Sequence, residues 1–204
     1  ICIAKAEHRR VAVVTNAMSL DSDLSEKLIA VGIDSIAFSL DGHSQELSEM
    51  LRPGTNIPMV AKNIKQFVGL AENAGRPIST AVFTAVSKQS LPGLKELTDL
   101  VSTLGVHVLM LSDLNFGHNA GERLWNNLDR AESALLNQAV GNAFSKGLPV
   151  LSVRGIEEFG LWKRYKDYLA VPVSQIHDRS QTHSHCLSPW QTIPVDVDGN
   201  ISIC

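Results

Sequence analysis

Four polar residues stand where two apolar, strand-like runs end, and they are the first candidates for chemistry. Thr15 and Asn16 follow the first run, while Ser39 and Asp41 follow the second. In parallel α/β sheets, ligands bind at the carboxyl ends of the strands, where loops and helix N-termini converge. A hydroxyl, an amide and a carboxylate at one edge therefore predict the rim of a pocket. The alternative is that Asn16 and Asp41 serve only as turn residues.

Two charged residues lie near the end of the second run. Arg52 belongs to the segment Leu51 to Gly54, and its planar guanidinium suits a carboxylate. A solvated surface arginine is the alternative. Asp41 with His43 nearby is a candidate acid/base pair for an ordinary (β/α) barrel enzyme, although His43 also fits a solvated loop.

The two C-terminal cysteines have a more specific spacing. A hairpin that turns at Asp198-Gly199 would carry Cys204 back toward the chain that leads in from Cys186. Two thiolates placed in this way are ligands for an iron–sulfur cluster or for zinc. His183 and His185 could complete a zinc site. The alternative is two unrelated buried thiols.

Helix-period segments alternate with short apolar runs along most of the chain. The runs predict five strands, with Asp21 or Ser22 as the cap of the helix after the first. The helices end at four glycines, namely Gly32, Gly75, Gly105 and Gly147. The predicted strands are Val11 to Thr15, Ile36 to Leu40, Ile78 to Phe83, Val106 to Leu111 and Leu148 to Val153.

This alternation indicates parallel strands with right-handed crossovers, and therefore an α/β fold. The pattern alone leaves a barrel and an open sheet as alternatives. Residues 1–170 form the predicted α/β part, which ends in an amphipathic helix from Ile156 to Leu169. Residues 171–185 are polar and irregular, as in a linker, and a hairpin is predicted within 186–204.

Composition excludes several classes of protein. The 204 residues carry a formal net charge of -3, which gives no clustered positive field for nucleic acid. No apolar run approaches the length of a membrane span. Three cysteines are too few for a disulfide framework, so a reducing cytoplasm is expected. The chain opens on Ile1 and stops on Cys204, which suggests a piece of something longer.

Taken in order, several of these segments resemble radical S-adenosylmethionine enzymes with a C-terminal SPASM or twitch domain. The resemblance spans Val11 to Cys204. The segments that carry it are Val13 to Leu20, Phe38 to Gly42, Arg52, Cys186, Pro189-Trp190 and Asp198 to Cys204. It implies a partial (β/α)6 TIM-type barrel from the third strand onward, followed by the start of a small iron–sulfur domain with a β-hairpin.

By this resemblance, the parent protein is an oxidoreductase or maturase that cleaves S-adenosylmethionine at a [4Fe–4S] cluster and abstracts a substrate hydrogen. Ser39 would contact S-adenosylmethionine, Arg52 would pair with its carboxylate and Leu114 would contact the adenine. Thr15 and Asn16 would line the cavity near the cofactor or substrate, and Asp41 would shape the site. Cys186 and Cys204 would be ligands of an auxiliary iron–sulfur cluster.

The same resemblance implies partners. These are a peptide or protein substrate, or a small molecule, and an electron donor such as flavodoxin or ferredoxin. The sequence departs from the family because it contains no CxxxCxxC, so this chain alone is expected to be inactive. The alternative function is a non-catalytic α/β binding module with structural zinc at the C-terminal cysteines and histidines.

Overall fold

A computed structural model describes residues 1–113 and 127–152. The strands are β1 (Ala12–Thr15), β2 (Ser35–Ser39), β3 (Ser79–Val86), β4 (Val108–Asp113) and β5 (Val150–Ser152). The helices are α1 (Cys2–Ala6), α2 (Ser22–Val31), α3 (Gln45–Leu51), α4 (Ile57–Asn73), α5 (Leu94–Ser102) and α6 (Arg130–Ser145), with a 3₁₀ turn at Leu91–Gly93. None of these helices combines the length and the apolar character that crossing a membrane would require.

The five strands form one parallel sheet in the order β1-β2-β3-β4-β5. This confirms the α/β class and the five predicted strands, whose bounds shift by one to three residues. Strand order follows chain order throughout the described sheet, with no reversal of the kind that doubly wound folds have. Such a singly wound order is consistent with a sector of a TIM-type barrel.

One face of the sheet packs against the helices, and the register shows which residues lie on it. Phe38, Val82, Leu109 and Val150 occupy one row across four strands, and all four are fully buried. The opposite face is less covered, because Val14 of β1 is 70 % exposed. Helices on one face alone are the arrangement that crossovers of one hand give to a singly wound sheet.

The helix boundaries follow local capping chemistry. The Asp21 carboxylate accepts the N–H of Leu24, which confirms the predicted start of α2. All four glycines that were predicted to end helices have positive φ, between 62° and 78°. Glycine adopts this conformation without the Cβ clash that other residues suffer, so these predictions are confirmed. The Ile156 helix, the linker and the hairpin lie outside the described residues.

Asp99 joins α5 to α6 and gives the fold an acid-sensitive contact. Its carboxylate accepts hydrogen bonds from Lys146, from Asn142 at 2.7 Å and from Lys95 at 3.1 Å. These donors, the Lys146 ammonium first, hold the pKa of Asp99 well below its ordinary value. The folded state therefore binds this proton less readily than the unfolded state. The contribution to stability is complete above the unfolded pKa of about 3.9 and is lost as the pH falls.

We therefore expect Asp99→Asn to weaken the dependence of stability on pH below about pH 4. Urea unfolding of both proteins at neutral and acidic pH measures this dependence. Asp23→Asn is the matched control, because Asp23 pairs with Lys27 on a well-exposed helix face, where ion pairs contribute little. If the free energy of unfolding falls as much on acidification in Asp99→Asn as in the wild type, the expectation is wrong.

Candidate functional site

A buried carboxylate lies at the carboxyl edge of β2. Asp41 is only 9 % exposed, and each of its oxygens is occupied. Oδ1 accepts the backbone N–H of Ala85 at 2.8 Å, and Oδ2 accepts Nε of Arg52 at 2.5 Å. Asp41 therefore ties the end of β2 to β3 and fixes the direction of the Arg52 side chain.

The guanidinium of Arg52 is only partly used by this pair. The side chain is 41 % exposed, and Nε is its one hydrogen-bonding atom within the described part of the chain. The backbone N–H and the hydroxyl of Thr55 both donate to the carbonyl oxygen of Arg52 and so hold its backbone. The two amino groups of Arg52 remain available as donors.

A small cavity of about 10 Å³ lies beside the ion pair, which is room for about one water molecule. Its lining includes Ser39, Asp41, Ser48, Arg52 and Thr55. Ser48 is buried, and its hydroxyl makes no hydrogen bond with the described residues. Beside this cavity, the Ser48 hydroxyl can donate or accept, whereas the amino groups of Arg52 can only donate.

Gly42 closes this cavity on one side through a close approach to α3. A Cβ added at Gly42 would lie 2.6 Å from the Ser48 hydroxyl and 3.0 Å from the Ser48 backbone nitrogen. The Ser48 side chain would have to move away from such a carbon, and the Ser48 backbone nitrogen would be in a tight contact that a rotamer change cannot relieve. Packing against α3 therefore favours glycine at position 42.

Thr15 and Asn16 stabilise the turn after β1. Thr15 Oγ1 accepts the N–H of Ala17 at 3.1 Å, and Asn16 Oδ1 accepts the N–H of Met18 at 3.1 Å. Thr15 shares the register row of Phe38, so it lies on the helix-packed face of the sheet. Ser39 belongs to the alternate, open face. The structure therefore does not bring Thr15 to the same surface as Ser39.

The turn after β1 is held by a buried amide from α4. Nδ2 of Asn63 donates to the carbonyl of Ala17 at 2.8 Å and to that of Met18 at 3.3 Å. Ala17 is fully buried and has φ of 59°, which costs a residue with a Cβ about 1–2 kcal/mol. Asn63 is not among the residues predicted from the sequence, although a polar residue beside Val60 and Ile64 in an apolar helical stripe is a recognisable signal.

We expect Asn63→Ala to lower the free energy of unfolding by about 1–2 kcal/mol, because a buried donor to two carbonyls is lost. Equilibrium urea unfolding measures this change. Asn73→Ala is the matched control, since Asn73 is exposed at the end of the same helix and should shift stability by less than about 0.5 kcal/mol. Equal losses in the two variants would contradict the role of Asn63.

An open cleft of about 540 Å³ lies at the same edge, between this turn and the start of α4. Met18, Asp21, Met59 and Lys62 are among its lining residues. Its size falls within the range of about 300–1,000 Å³ that small-molecule sites occupy. None of its lining residues lines the small cavity beside Arg52, so the two are separate features of this edge.

The remaining predicted residues are not joined to this site. The His43 ring packs against Gly93, where an added Cβ would lie 2.5 Å from it. Leu114, Cys186 and Cys204 lie outside the described residues, as do His183 and His185. Within residues 1–113 and 127–152, no three His, Cys, Asp or Glu side chains are grouped as metal ligands.

Comparison with known proteins gives matches among solved structures, but none among family models or curated proteins. No protein-family model matches the chain, and no curated protein does. Among solved structures, the HMG-CoA lyase from Brucella melitensis is 18% identical over 72% of this chain and 56% of that one, with a TM-score of 0.43. Hydroxymethylglutaryl-CoA lyase from Pseudomonas aeruginosa is 12% identical over 70% and 44%, with a TM-score of 0.42. The chain spans about half the length of these enzymes.

These findings correct the family identification. No family model of radical S-adenosylmethionine or SPASM proteins matches, and the solved structures reported above are lyases. The expected cleavage of S-adenosylmethionine, the [4Fe–4S] cluster, the auxiliary iron–sulfur cluster and the oxidoreductase activity are therefore wrong. The zinc-module alternative gains no support either. Likeness at these TM-scores transfers no reaction and no ligand from the lyases to this chain.

The structure explains why the resemblance misled. The segment Ser39 to Gly42 fits a packing requirement, because Asp41 bridges two strands and Gly42 touches α3. Thr15 and Asn16 satisfy backbone groups of their own turn. Short motifs of this kind are shared by unrelated proteins whose backbones turn in the same way.

Proposed function

We propose that this chain is the ligand-binding part of a (β/α) barrel protein and binds a small, acceptor-rich molecule at the carboxyl edge of its sheet. The observation that carries the proposal is the guanidinium of Arg52, of which Nε alone is hydrogen-bonded to the described residues. Asp41 fixes its Nε, and both amino groups have no partner among residues 1–113 and 127–152, at an edge where parallel sheets bind ligands. A carboxylate or phosphate oxygen matches these donors in geometry and charge.

The small cavity adds a second polar group that a ligand oxygen could contact. It has room for about one water molecule and lies beside the buried, unsatisfied hydroxyl of Ser48. A water molecule or a ligand oxygen in this cavity would satisfy the Ser48 hydroxyl, which would then act as a donor beside Arg52. The net charge of -3 favours a small molecule over nucleic acid as the partner.

The test uses the full chain labelled with ¹⁵N and titrated with malonate, while amide shifts are followed by NMR. Malonamide, which is neutral and of similar shape, is the comparison ligand. We expect malonate to shift the amides of residues 39–42, 48–52, 54–55 and 85, and to bind more tightly than malonamide. Arg52→Lys keeps a positive charge beside Asp41 but removes the planar fork, so malonate should bind about tenfold more weakly.

Arg76→Lys is the matched control, because it makes the same chemical change at the opposite, amino edge of the sheet. Malonate affinity should be unchanged in this variant. Equal affinity of wild type and Arg52→Lys, or shifts that avoid the carboxyl edge, would refute the proposed function.

A further inference from the structure

A second cavity lies at the amino edge of the sheet, away from the site described above. Its volume is about 210 Å³, and it opens between the end of α4 and the starts of β3 and β4. Val68, Ala71 and Ile78 are buried and form its apolar floor. A cavity of about 150 Å³ lined by apolar side chains is large enough to hold benzene. This one therefore has room for one six-membered ring or a branched apolar group.

His107 presents a fixed donor at this cavity. Its Nδ1 accepts the backbone N–H of Thr80 at 3.0 Å, and its own backbone N–H donates to the carbonyl of Thr80 at 3.1 Å. Because Nδ1 is an acceptor, the neutral ring carries its hydrogen on Nε2. Nε2 has no hydrogen-bond partner in the described part of the chain. The ring thus lines the cavity with one unsatisfied N–H.

Two charged side chains lie at the rim, and neither forms an ion pair within the described ranges. Arg76 passes over the end of α2, where a Cβ on Gly32 would be 3.2 Å from its Nη1. Glu72 stands four residues earlier, in the last turns of α4. Arg76 and His107 supply donors, against the single carboxylate of Glu72. The excess of donors favours an anionic group over a cationic one.

We infer that the amino-edge cavity is a second ligand site, which binds a small molecule that carries one ring-sized apolar group and one carboxylate. The apolar group lies on Val68, Ala71 and Ile78, where its burial is favourable. The carboxylate accepts Nε2–H of His107 and pairs with Arg76. This site is separate from Asp41 and Arg52, so it does not depend on the function proposed for the carboxyl edge.

The test is a titration of the ¹⁵N-labelled full chain with benzoate, followed by the amide shifts of Ile78, Thr80 and His107. Benzyl alcohol and benzylamine have the same ring with a neutral and a cationic group. We expect saturable shifts with benzoate and about tenfold weaker binding of the other two probes. Arg76→Gln should weaken benzoate by a similar factor without unfolding the protein, because Arg76 is exposed.

Two further variants make the result specific. Ala71→Met places a longer apolar side chain on the buried floor, and we expect it to abolish the benzoate shifts. Arg52→Lys, at the carboxyl edge, should leave the benzoate shifts near His107 unchanged. A failure of the amino-edge site is therefore distinguishable from a failure of the function proposed for the carboxyl edge. The inference is overturned if the three probes bind alike, if benzoate shifts nothing near His107, or if Arg76→Gln binds benzoate as wild type does.

Discussion

Phe67→Ala is expected to lower the free energy of unfolding by about 3–5 kcal/mol. Phe67 on α4 and Phe38 on β2 are both fully buried. Their rings meet edge to face, with centroids 5.8 Å apart and planes at 71°. Truncation removes the buried ring area, the ring contact and the packing of α4 on the sheet at once. The cavity that remains sits among side chains that cannot all collapse into it.

Equilibrium urea unfolding measures the loss, and Met59→Ala on the same helix is its control. Met59 is 43% exposed, so its truncation should cost less than about 1 kcal/mol. A loss in Phe67→Ala no larger than that in Met59→Ala would show that α4 does not pack on β2 as described. A Phe38→Ala, Phe67→Ala double variant isolates the ring pair, whose coupling should be about 0.5–1.5 kcal/mol.

Features that depend on neighbouring residues could be predicted from the sequence. The glycines that end helices are an example, since the left-handed conformation at Gly32 or Gly147 is a local requirement that glycine meets best. Alternation of helix and strand likewise indicates parallel pairing. The sequence left barrel and open sheet as alternatives, because both use the same local pattern. They differ in strand order, in closure of the sheet and in whether helices cover one face or two.

The arrangement of the site depends on contacts that the sequence does not reveal. Helix α3 has seven residues, which is too short for a reliable helical period, and its one local signal is the capping Ser44. The length of α3 decides whether Arg52 can reach Asp41. Arg52 was expected to pair with a ligand carboxylate, whereas its Nε donates to a carboxylate of the chain itself, that of Asp41.

Asp41→Ala tests this internal pair, with an expected loss of about 2–4 kcal/mol in the free energy of unfolding. The change leaves the N–H of Ala85 without an acceptor and the Nε of Arg52 without its carboxylate. Arg52 is partly exposed, so water recovers some of its hydrogen bonding and the loss stays below that of a fully buried pair. Asp41→Asn retains an oxygen for Ala85 and should cost less than Asp41→Ala.

A double-mutant cycle of Asp41→Ala with Arg52→Met separates the two contacts in urea unfolding. If the pair is as close as the structure shows, the coupling free energy should be about 1–2 kcal/mol, and the rest of the Asp41→Ala loss belongs to Ala85. A coupling near zero would mean that Arg52 is free of Asp41. The support for the proposed ligand site would then disappear as well, because a mobile guanidinium offers no preorganised fork to an incoming oxygen.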